Sequence, residues 1–268
     1  MKVNNKIIVV TGAGSGMGRA LSLALLNKGA RVAAVDLNEN TLMETAALAG
    51  QHQDRISHHV VNVSDRDAVE ALPAAVSAAH GAVDGIINNA GIIQPFVRLN
   101  ELTYEAIERV LNVNLYGVIY MTKAFLPHLL QRPEAHVVNV SSMGGFFPVP
   151  GQSLYGASKA GVKLLTEGLY AELLESNVRV TVVFPGAIAT NISQNSGVTI
   201  VAPATSETSQ RFPTTSAEDA AETIINGMEQ DKFQVYIGND AKMMNYLYRL
   251  NPRRATRFMY DRMKALLG

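Results

Sequence analysis

The sequence predicts an α/β fold: a single domain built on a doubly wound parallel sheet of about seven strands. Three observations predict it. Short β-branched runs alternate with amphipathic stretches of helical length along most of the 268 residues, as expected for strands buried on both faces with helices laid over them. Each run stops at small or polar residues: a glycine-rich turn after IIVV, then Asp36, Asn88–Asn89, Ser141–Ser142 and Pro185–Gly186. No repeat, linker or low-complexity tract divides the chain, so one core serves all of it. In a parallel sheet the strand ends share one edge, and the polar residues gathered there describe one crevice.

Lys6–Val10 is the first strand. It enters TGAGSGMG, Thr11–Gly18, and then RALSLALLNKG, an amphipathic helix closed by Gly29 as its C-cap. Strand, glycine turn and helix in succession give the motif its meaning: glycines let the main chain approach a pyrophosphate, and the helix N-terminus offers it N–H groups and partial positive charge. The spacing is T-G-x-x-x-G-x-G, on Thr11, Gly12, Gly16 and Gly18. Met17 stands where G-x-G-x-x-G needs Gly or Ala, and no Lys-Ser/Thr follows, which excludes a Walker-type loop. The second strand, RVAAVD, ends in Asp36, about 20 residues beyond the turn, where a carboxylate accepts from both adenosine ribose hydroxyls and repels a 2′-phosphate. Ser15 and Leu37, the places where a cation would rescue NADP, carry none. NAD is the expected cofactor.

Ile56–Val61 is a third strand, followed by a helix with Ser64 or Asp65 at its N-cap. Val83–Ile87 runs into Asn88, Asn89, Ala90 and Gly91, residues that let a loop pass beneath a nucleotide or, equally, build an ordinary turn. A helix from about Thr103 to Leu130 carries NVNLYG in its middle. Asn112, Asn114 and Gly117 are poor helix-interior choices, so a local function or close packing is expected there. AHVVNVSS gives a strand ending at Ser141–Ser142, and Asn177–Phe184 another, ending at Pro185–Gly186 with Thr190 and Asn191 beyond. The polar stretch Ser193–Thr215, with VTIVAP inside it, reads as a lid or a short helical insertion; the substrate lid is placed at 192–216. A helix capped by Ser216, a last strand FQVYIG and a helical tail over 239–268 complete the chain.

Tyr155 and Lys159 stand four apart in a helix read from about Ser153 to Glu175, so both project from one face, a turn apart. An ammonium there favours phenolate and draws the phenol down from its ordinary pKa of about 10, which makes a general acid/base.

Formal net charge is zero, which argues against a nucleic-acid binder. Cysteine is absent, so thiolate metal sites and Cys nucleophiles are excluded. The six histidines have no metal-ligand spacing and read as surface or loop residues; no metal is expected. The apolar run at the N-terminus is too short for a signal peptide and nothing reaches the about 18 residues of a membrane span, so a cytoplasmic protein is expected. From Ala241 onward seven Lys/Arg face one acid, Asp261, which puts +6 on the tail and −6 on the body.

With these residues assembled, the sequence resembles the short-chain dehydrogenase/reductase family, in its single-domain branch. The likeness runs from about Lys6 to Asn191, through TGAGSGMG, Asp36, NNAG, NVNLYG, the Ser pair, YGASK and PG-x-x-x-T in the family's order. It implies a Rossmann-type fold and reversible hydride transfer between NAD(P) and an alcohol/ketone pair. On the resemblance, Tyr155 is the acid/base, Lys159 binds the nicotinamide ribose and depresses the Tyr pKa, Ser142 holds the substrate oxygen while Ser141 does not, and Asn114 positions a water leading from Lys159 to solvent. The cofactor set it implies is Gly12, Ser15, Gly16, Met17 and Gly18 in the turn, Asp36, Asn62 and Val63 towards adenosine, Asn89, Ala90 and Gly91 beneath it, and Pro185, Gly186, Ile188 and Thr190 at the nicotinamide, with Tyr155 and Lys159. Asn62 replaces an Asp common in the family. The family's frequent ending, an Asp-Gly-Gly turn and a short final strand, gives way to IGNDAKMMNYLYRLNP and the basic tail, so the usual homotetramer competes with a homodimer through the two long helices.

The substrate pocket is expected to take in Ile93, Gln94, Gly144, Phe147, Gly186 and Ile192, and its apolar character suggests a hydrophobic secondary alcohol or ketone. Arg211, in the lid, could meet an acidic substrate group, though a solvated Arg is the expectation. For the tail, packing on the acidic body of its own or a partner subunit is favoured over contact with an anionic membrane or cover of the pocket. An epimerase or dehydratase of the longer-chain branch would need a substrate domain that this sequence does not show. A nucleotide sensor without turnover, from a different functional class, would not need the set Asn114, Ser142, Tyr155 and Lys159.

Overall fold

Successive residues of a strand point to opposite faces. In IIVV, Ile8 and Val10 therefore join one core while Ile7 and Val9 join the other, and an unbroken apolar run becomes a strand covered on both sides. The computed structural model describes residues 1–198 and 214–264. In it strands β1 (Ile7–Thr11), β2 (Arg31–Asp36), β3 (Ile56–Val60), β4 (Gly85–Asn88), β5 (Ala135–Val140), β6 (Val178–Pro185) and β7 (Gln234–Ile237) form one sheet in the order β3-β2-β1-β4-β5-β6-β7. Every pairing is parallel. The order reverses between β1 and β4, and the crevice for a ligand opens where the connections part at the carboxyl ends.

One face is covered by α1 (Gly16–Asn27), through Leu21, Leu25 and Leu26, by α2 (Glu39–Leu48) and, from beyond the lid, by α8 (Ala217–Glu229). The other carries α3 (Arg66–His80), α4 (Tyr104–Leu111), α5 (Gly117–Leu129) and α6 (Ser153–Glu172). Gly29 takes φ +87 just past α1, the left-handed geometry that ends a helix on glycine. Asp65 caps α3 by accepting from Asp67 and Ala68 N–H, and Ser216 caps α8 through Asp219 N–H. The long helix read through NVNLYG is interrupted: Asn112–Tyr116 makes a π turn between α4 and α5. Gly117 follows because a Cβ there would stand 3.0 Å from Val63 Cγ2. Close packing, one of the two expectations for this segment, is met at Gly117.

The last strand read from FQVYIG is present as β7, paired with β6 from Val182↔Gln234 to Pro185↔Ile237. After it the chain continues as α9 (Asn239–Leu250) and α10 (Pro252–Met263). Of the segment expected to form a lid, α7 (Ile192–Asn195) and the Ile188↔Thr215 bridge are described; VTIVAP after Val198, and Arg211, lie outside the described residues.

The reading of all six histidines as surface or loop residues fails at His136. It sits fully buried in β5, with Nε2 2.8 Å from Thr181 Oγ1. The Thr181 hydroxyl donates to Lys232 O, so it accepts from the imidazole, and the proton belongs on Nε2; Nδ1 has no partner. Burial, followed by the N-terminal ammonium and Arg179, pushes the His136 pKa down to about 3. The folded protein thus keeps His136 neutral, while the unfolded chain protonates it near 6.5. Its contribution is present above that value and lost as pH falls towards 3. Denaturant titrations at pH 7 and pH 5 should show wild type losing about 2 kcal/mol more than His136→Leu, since each pH unit is worth ~1.4 kcal/mol.

Candidate active site

The glycine turn is held in shape by packing as much as by φ. Gly12 and Gly16 take φ +68 and +49, and a Cβ on Gly18 would lie 2.0 Å from Gly12 O, so α1 presses directly on the loop that begins it. Thr11 joins this turn to the neighbouring strand. Its hydroxyl accepts from Asn89 and Ala90 N–H, both at 3.0 Å, and Asn89 Nδ2 donates back to Thr11 O at 2.9 Å. Asp36 closes the other side: Oδ2 accepts from Gly14 N–H at 2.9 Å and Oδ1 from Asn38 N–H at 3.1 Å. Ser15, at the N-cap of α1, makes no side-chain cap, and the first turn holds no acid. Main-chain donors without an intrahelical partner and the positive end of the helix dipole therefore stand beside a carboxylate that retains lone pairs. A dinucleotide's pyrophosphate and adenosine ribose fit that donor set.

Further along the adenosine side, Asn62 turns its Oδ1 onto Ser64, accepting from the main-chain N–H at 3.1 Å and the hydroxyl at 2.7 Å. Val63 is buried against Gly117. Its side chain belongs to the core, so what it offers a cofactor is main chain. Arg19 was missed in the sequence. From the first turn of α1 its guanidinium reaches Gly14 O (2.5 Å), Thr41 O, Thr45 Oγ1 and Glu44 Oε2 (2.7 Å), which puts a cation next to Asp36, although one already bound to Glu44. Inspection of positions 15 and 37 alone could not find it; the i+4 spacing from Ser15 could have.

At the opposite end of the crevice, Ser142, Tyr155 and Lys159 are brought together by close approach of glycines. A Cβ on Gly144 would lie 3.3 Å from Tyr155 Cε1, and one on Gly145 would lie 2.8 Å from Lys159 O. Ser142 faces Tyr155 across Gly144, where a Cβ would lie 3.5 Å from Ser142 Oγ, and caps its own turn by accepting from Gly144 N–H. Ser141 is spent on Lys159 O at 2.7 Å, as the sequence reading required. Lys159, buried on the inner face of α6, donates to Val140 O at 2.9 Å, one of three donors on its ammonium. Burial lowers its pKa to about 8.

The phenol itself departs from expectation. Burial pushes the Tyr155 pKa above its ordinary value, with the Ser142 hydroxyl pulling the other way. Lys159 is not among the causes of the shift, and its ammonium donates to Val140 O. In this state the phenol is a held proton donor rather than a phenolate.

Asn114 occupies the π turn and is fully buried. Nδ2 donates to Ile92 O (2.9 Å) and Ser158 Oγ (3.1 Å), while Oδ1 accepts from Ile92 N–H (2.9 Å). It ties the loop after Asn89–Gly91 to α6. A Cβ on Gly91 would stand 3.2 Å from Lys159 Nζ and 3.3 Å from Asn114 Oδ1, so the two polar groups flank that glycine.

Two residues placed in the substrate pocket are not there. Phe147 is fully buried with Met244, Ala255 and Met259, in the small core under the tail. Gln94 is buried as well: Oε1 accepts from Leu154 and Tyr155 N–H at 2.8 and 3.0 Å, and Nε2 donates to Gly151 O at 2.9 Å. Its apolar neighbours suggested a lining residue, whereas the open N-terminus of α6 recruits it as a brace for Tyr155. Gln94→Leu leaves two buried N–H groups unpaired, at about 1–3 kcal/mol of stability. Loss of the brace should lower kcat roughly tenfold, through misplacement of Tyr155, while KM for the cofactor barely moves.

Gly144 and the half-buried Ile93 and Ile192 remain at the crevice. Gly186 has the side a Cβ would take filled by Asp240, whose Oδ2 accepts from Ala187 N–H at 2.8 Å. Thr190 packs on Gly16, and α7 reaches across: Asn195 Nδ2 donates to Ser15 Oγ and Ser196 Oγ accepts from Ile93 N–H. The start of the segment expected to form a lid is thus fastened to both the glycine turn and the loop after Gly91. Among the described residues no group of His, Asp or Glu forms a metal site, and no helix is long and apolar enough to cross a membrane.

A family model described as short chain dehydrogenase matches residues 6–200. The putative oxidoreductase SadH of Mycobacterium tuberculosis is 38% identical over 255 residues, 91% of this chain and 90% of that protein. Among solved structures, a short-chain dehydrogenase/reductase from Burkholderia phymatum in complex with NAD superposes with a TM-score of 0.85 at 26% identity, covering 94% of this chain and 96% of that one. One from Burkholderia cenocepacia in complex with NADP gives 0.80, also at 26% identity, over 97% and 99%. A family model over residues 6–200, a relative matched across nine-tenths of its length and a fold that superposes over 94% of the chain agree: the chain belongs to the short-chain dehydrogenase/reductase family.

Proposed function

We propose that the protein is an NAD-dependent oxidoreductase that interconverts a hydrophobic secondary alcohol and a ketone, with Tyr155 as general acid/base. The observation that carries this reading is the juxtaposition of Ser142 and Tyr155 across Gly144 at the carboxyl edge of the sheet, with Lys159 buried one helical turn away. Bound nicotinamide supplies the hydride acceptor or donor. Gly12, Ser15, Gly16, Met17 and Gly18 hold the pyrophosphate, Asp36, Asn62 and Val63 the adenosine, and Asn89, Ala90, Gly91, Pro185, Gly186, Ile188 and Thr190 the remainder. The spare donors of Lys159 suit the nicotinamide ribose hydroxyls.

In ketone reduction the neutral phenol gives its proton to the nascent alkoxide while Ser142 donates a hydrogen bond to the same oxygen, as an oxyanion donor would. In oxidation the phenol must first lose its proton, and the raised pKa of Tyr155 places that loss at alkaline pH. Asn114, through Ile92 and Ser158, keeps the walls around Lys159 in register. The hydrophobic substrate class rests on Ile93 and Ile192, both half-buried, and residues 192–216 act as its lid. The exposed apolar side chains Tyr104, Tyr116, Leu164 and Leu174 on α4, the π turn, α6 and just beyond favour a homodimer through that face.

A panel of aliphatic, alicyclic and charged ketones, followed by NADH absorbance, tests the proposal. Bulky uncharged ketones should give kcat/KM at least tenfold above carboxylated ones; the reverse order would remove the hydrophobic-substrate reading.

A further inference from the structure

Helix α9 is apolar on two opposite faces. Ala241 and Met244 are buried and Tyr248 partly so, one stripe at helical spacing. That stripe meets Phe147, while Ala255 and Met259 of α10 complete the same cluster. Packing on the chain's own body, the role favoured for the tail, is fulfilled by this face. Offset by two residues runs a second stripe: Met243 is 49% exposed, Tyr246 66%, Leu247 37% and Leu250 65%. The i, i+3, i+4, i+7 spacing puts all four on the side turned from the body. Lys242 and Arg249 flank it on the same helix, and Arg253 and Arg254 open α10 immediately beyond; all four are exposed, and none makes an ion pair among the described residues. Phe258 and Tyr260 are exposed on α10 as well.

We infer that the outer face of α9 and the start of α10 form a docking surface for an anionic lipid membrane, with Met243, Tyr246, Leu247 and Leu250 seated at the headgroup boundary and the arginines on acidic headgroups. An exposed apolar stripe edged by unpaired cations is the pattern of a helix that lies in the interface. Charge decides against a second copy. An isologous contact through this patch would set the +6 tail against itself, and a separate apolar face on α4 and α6 is available for self-association. The surface is also joined to the catalytic end of the crevice. Asp240, at the start of α9, holds Ala187 N–H, and the inner stripe packs under the segment that follows Ser142.

The test is co-sedimentation of the intact protein with vesicles of phosphatidylglycerol and phosphatidylcholine in equal parts, against phosphatidylcholine alone. Binding is expected to the anionic vesicles only, and to weaken as salt rises. Arg249→Glu/Arg253→Glu/Arg254→Glu should weaken it about 100-fold, at roughly 1 kcal/mol per basic residue. Met243→Ser/Leu247→Ser/Leu250→Ser should weaken it at least tenfold. Thermal midpoints should stay within a few degrees, because these side chains are exposed. Failure of the wild type to bind anionic vesicles overturns the inference, and so does binding that both variants retain. A drop in molecular mass by light scattering for the serine variant also overturns it, since a second copy would then be what covers the stripe. None of these readouts depends on the enzyme's activity.

Discussion

Tyr155→Phe should lose turnover by about 10²–10⁴-fold while binding NADH as the wild type does. The range is that of positioned proton transfer, and the structure says why the rest should survive. The phenol ring packs edge-on to Gly144, a contact that Phe keeps. The lost oxygen lies beside Ser142, whose hydroxyl keeps Gly144 N–H as its partner. The dinucleotide groups Gly12–Gly18 and Asp36 are on other elements. Steady-state rates in both directions, with NADH binding followed by fluorescence, check the result. The pH profile adds a sign. Burial raises the phenol's pKa, so wild-type oxidation should climb with pH towards the alkaline range while reduction stays flat until the proton is lost. Activity retained in the variant would refute Tyr155 as the acid/base and, with it, the proposed mechanism.

Much of this site was legible because local chemistry and global position coincide. The glycine turn, Asp36 and the Ser142–Tyr155–Lys159 set are each fixed by short-range spacing or by the end of a strand, and strand ends were readable from β-branched runs. Poor helix formers at Asn112, Asn114 and Gly117 marked a site before its geometry was known, and the π turn is its cause. What stayed hidden depends on contacts between segments far apart in sequence. Gln94 and Phe147 sit beside pocket residues in the chain, yet one is drawn to the α6 N-terminus, 60 residues on, and the other under Met244. His136 looked like one more scattered histidine, because period and composition do not distinguish a buried histidine with a threonine partner from an exposed one. The direction of the Tyr155 pKa failed for a related reason. Spacing places Lys159 on the right face, but only the packed structure shows its ammonium committed to Val140 and the phenol enclosed.

Cofactor choice should follow Asp36. We expect kcat/KM to favour NAD over NADP by about 100-fold or more, because like charges set side by side in such a site cost several kcal/mol and each 1.4 kcal/mol is a factor of ten. The carboxylate cannot swing away from a 2′-phosphate cheaply: Gly14 and Asn38 N–H hold one oxygen each. Arg19 is the competing influence, a guanidinium beside the same turn. Its Nε and Nη2 donate to Thr45 Oγ1, Gly14 O and Thr41 O, and Glu44 pairs with it at 2.7 Å, while Nη1 has no hydrogen-bond partner among the described residues, so the Glu44 pair limits how far Arg19 offsets Asp36. These two groups give separable outcomes. Asp36→Ser/Leu37→Arg removes the anion and supplies a cation at the turn, and should reverse the preference to NADP. Glu44→Gln leaves Asp36 in place and releases Arg19, so NADP should improve by less than tenfold with NAD still preferred. If Glu44→Gln alone reversed the preference, Arg19 and not Asp36 would be the residue that sets it. A wild type that prefers NADP outright would mean that the Asp36 carboxylate, tied to Gly14 and Asn38, faces away from the ribose.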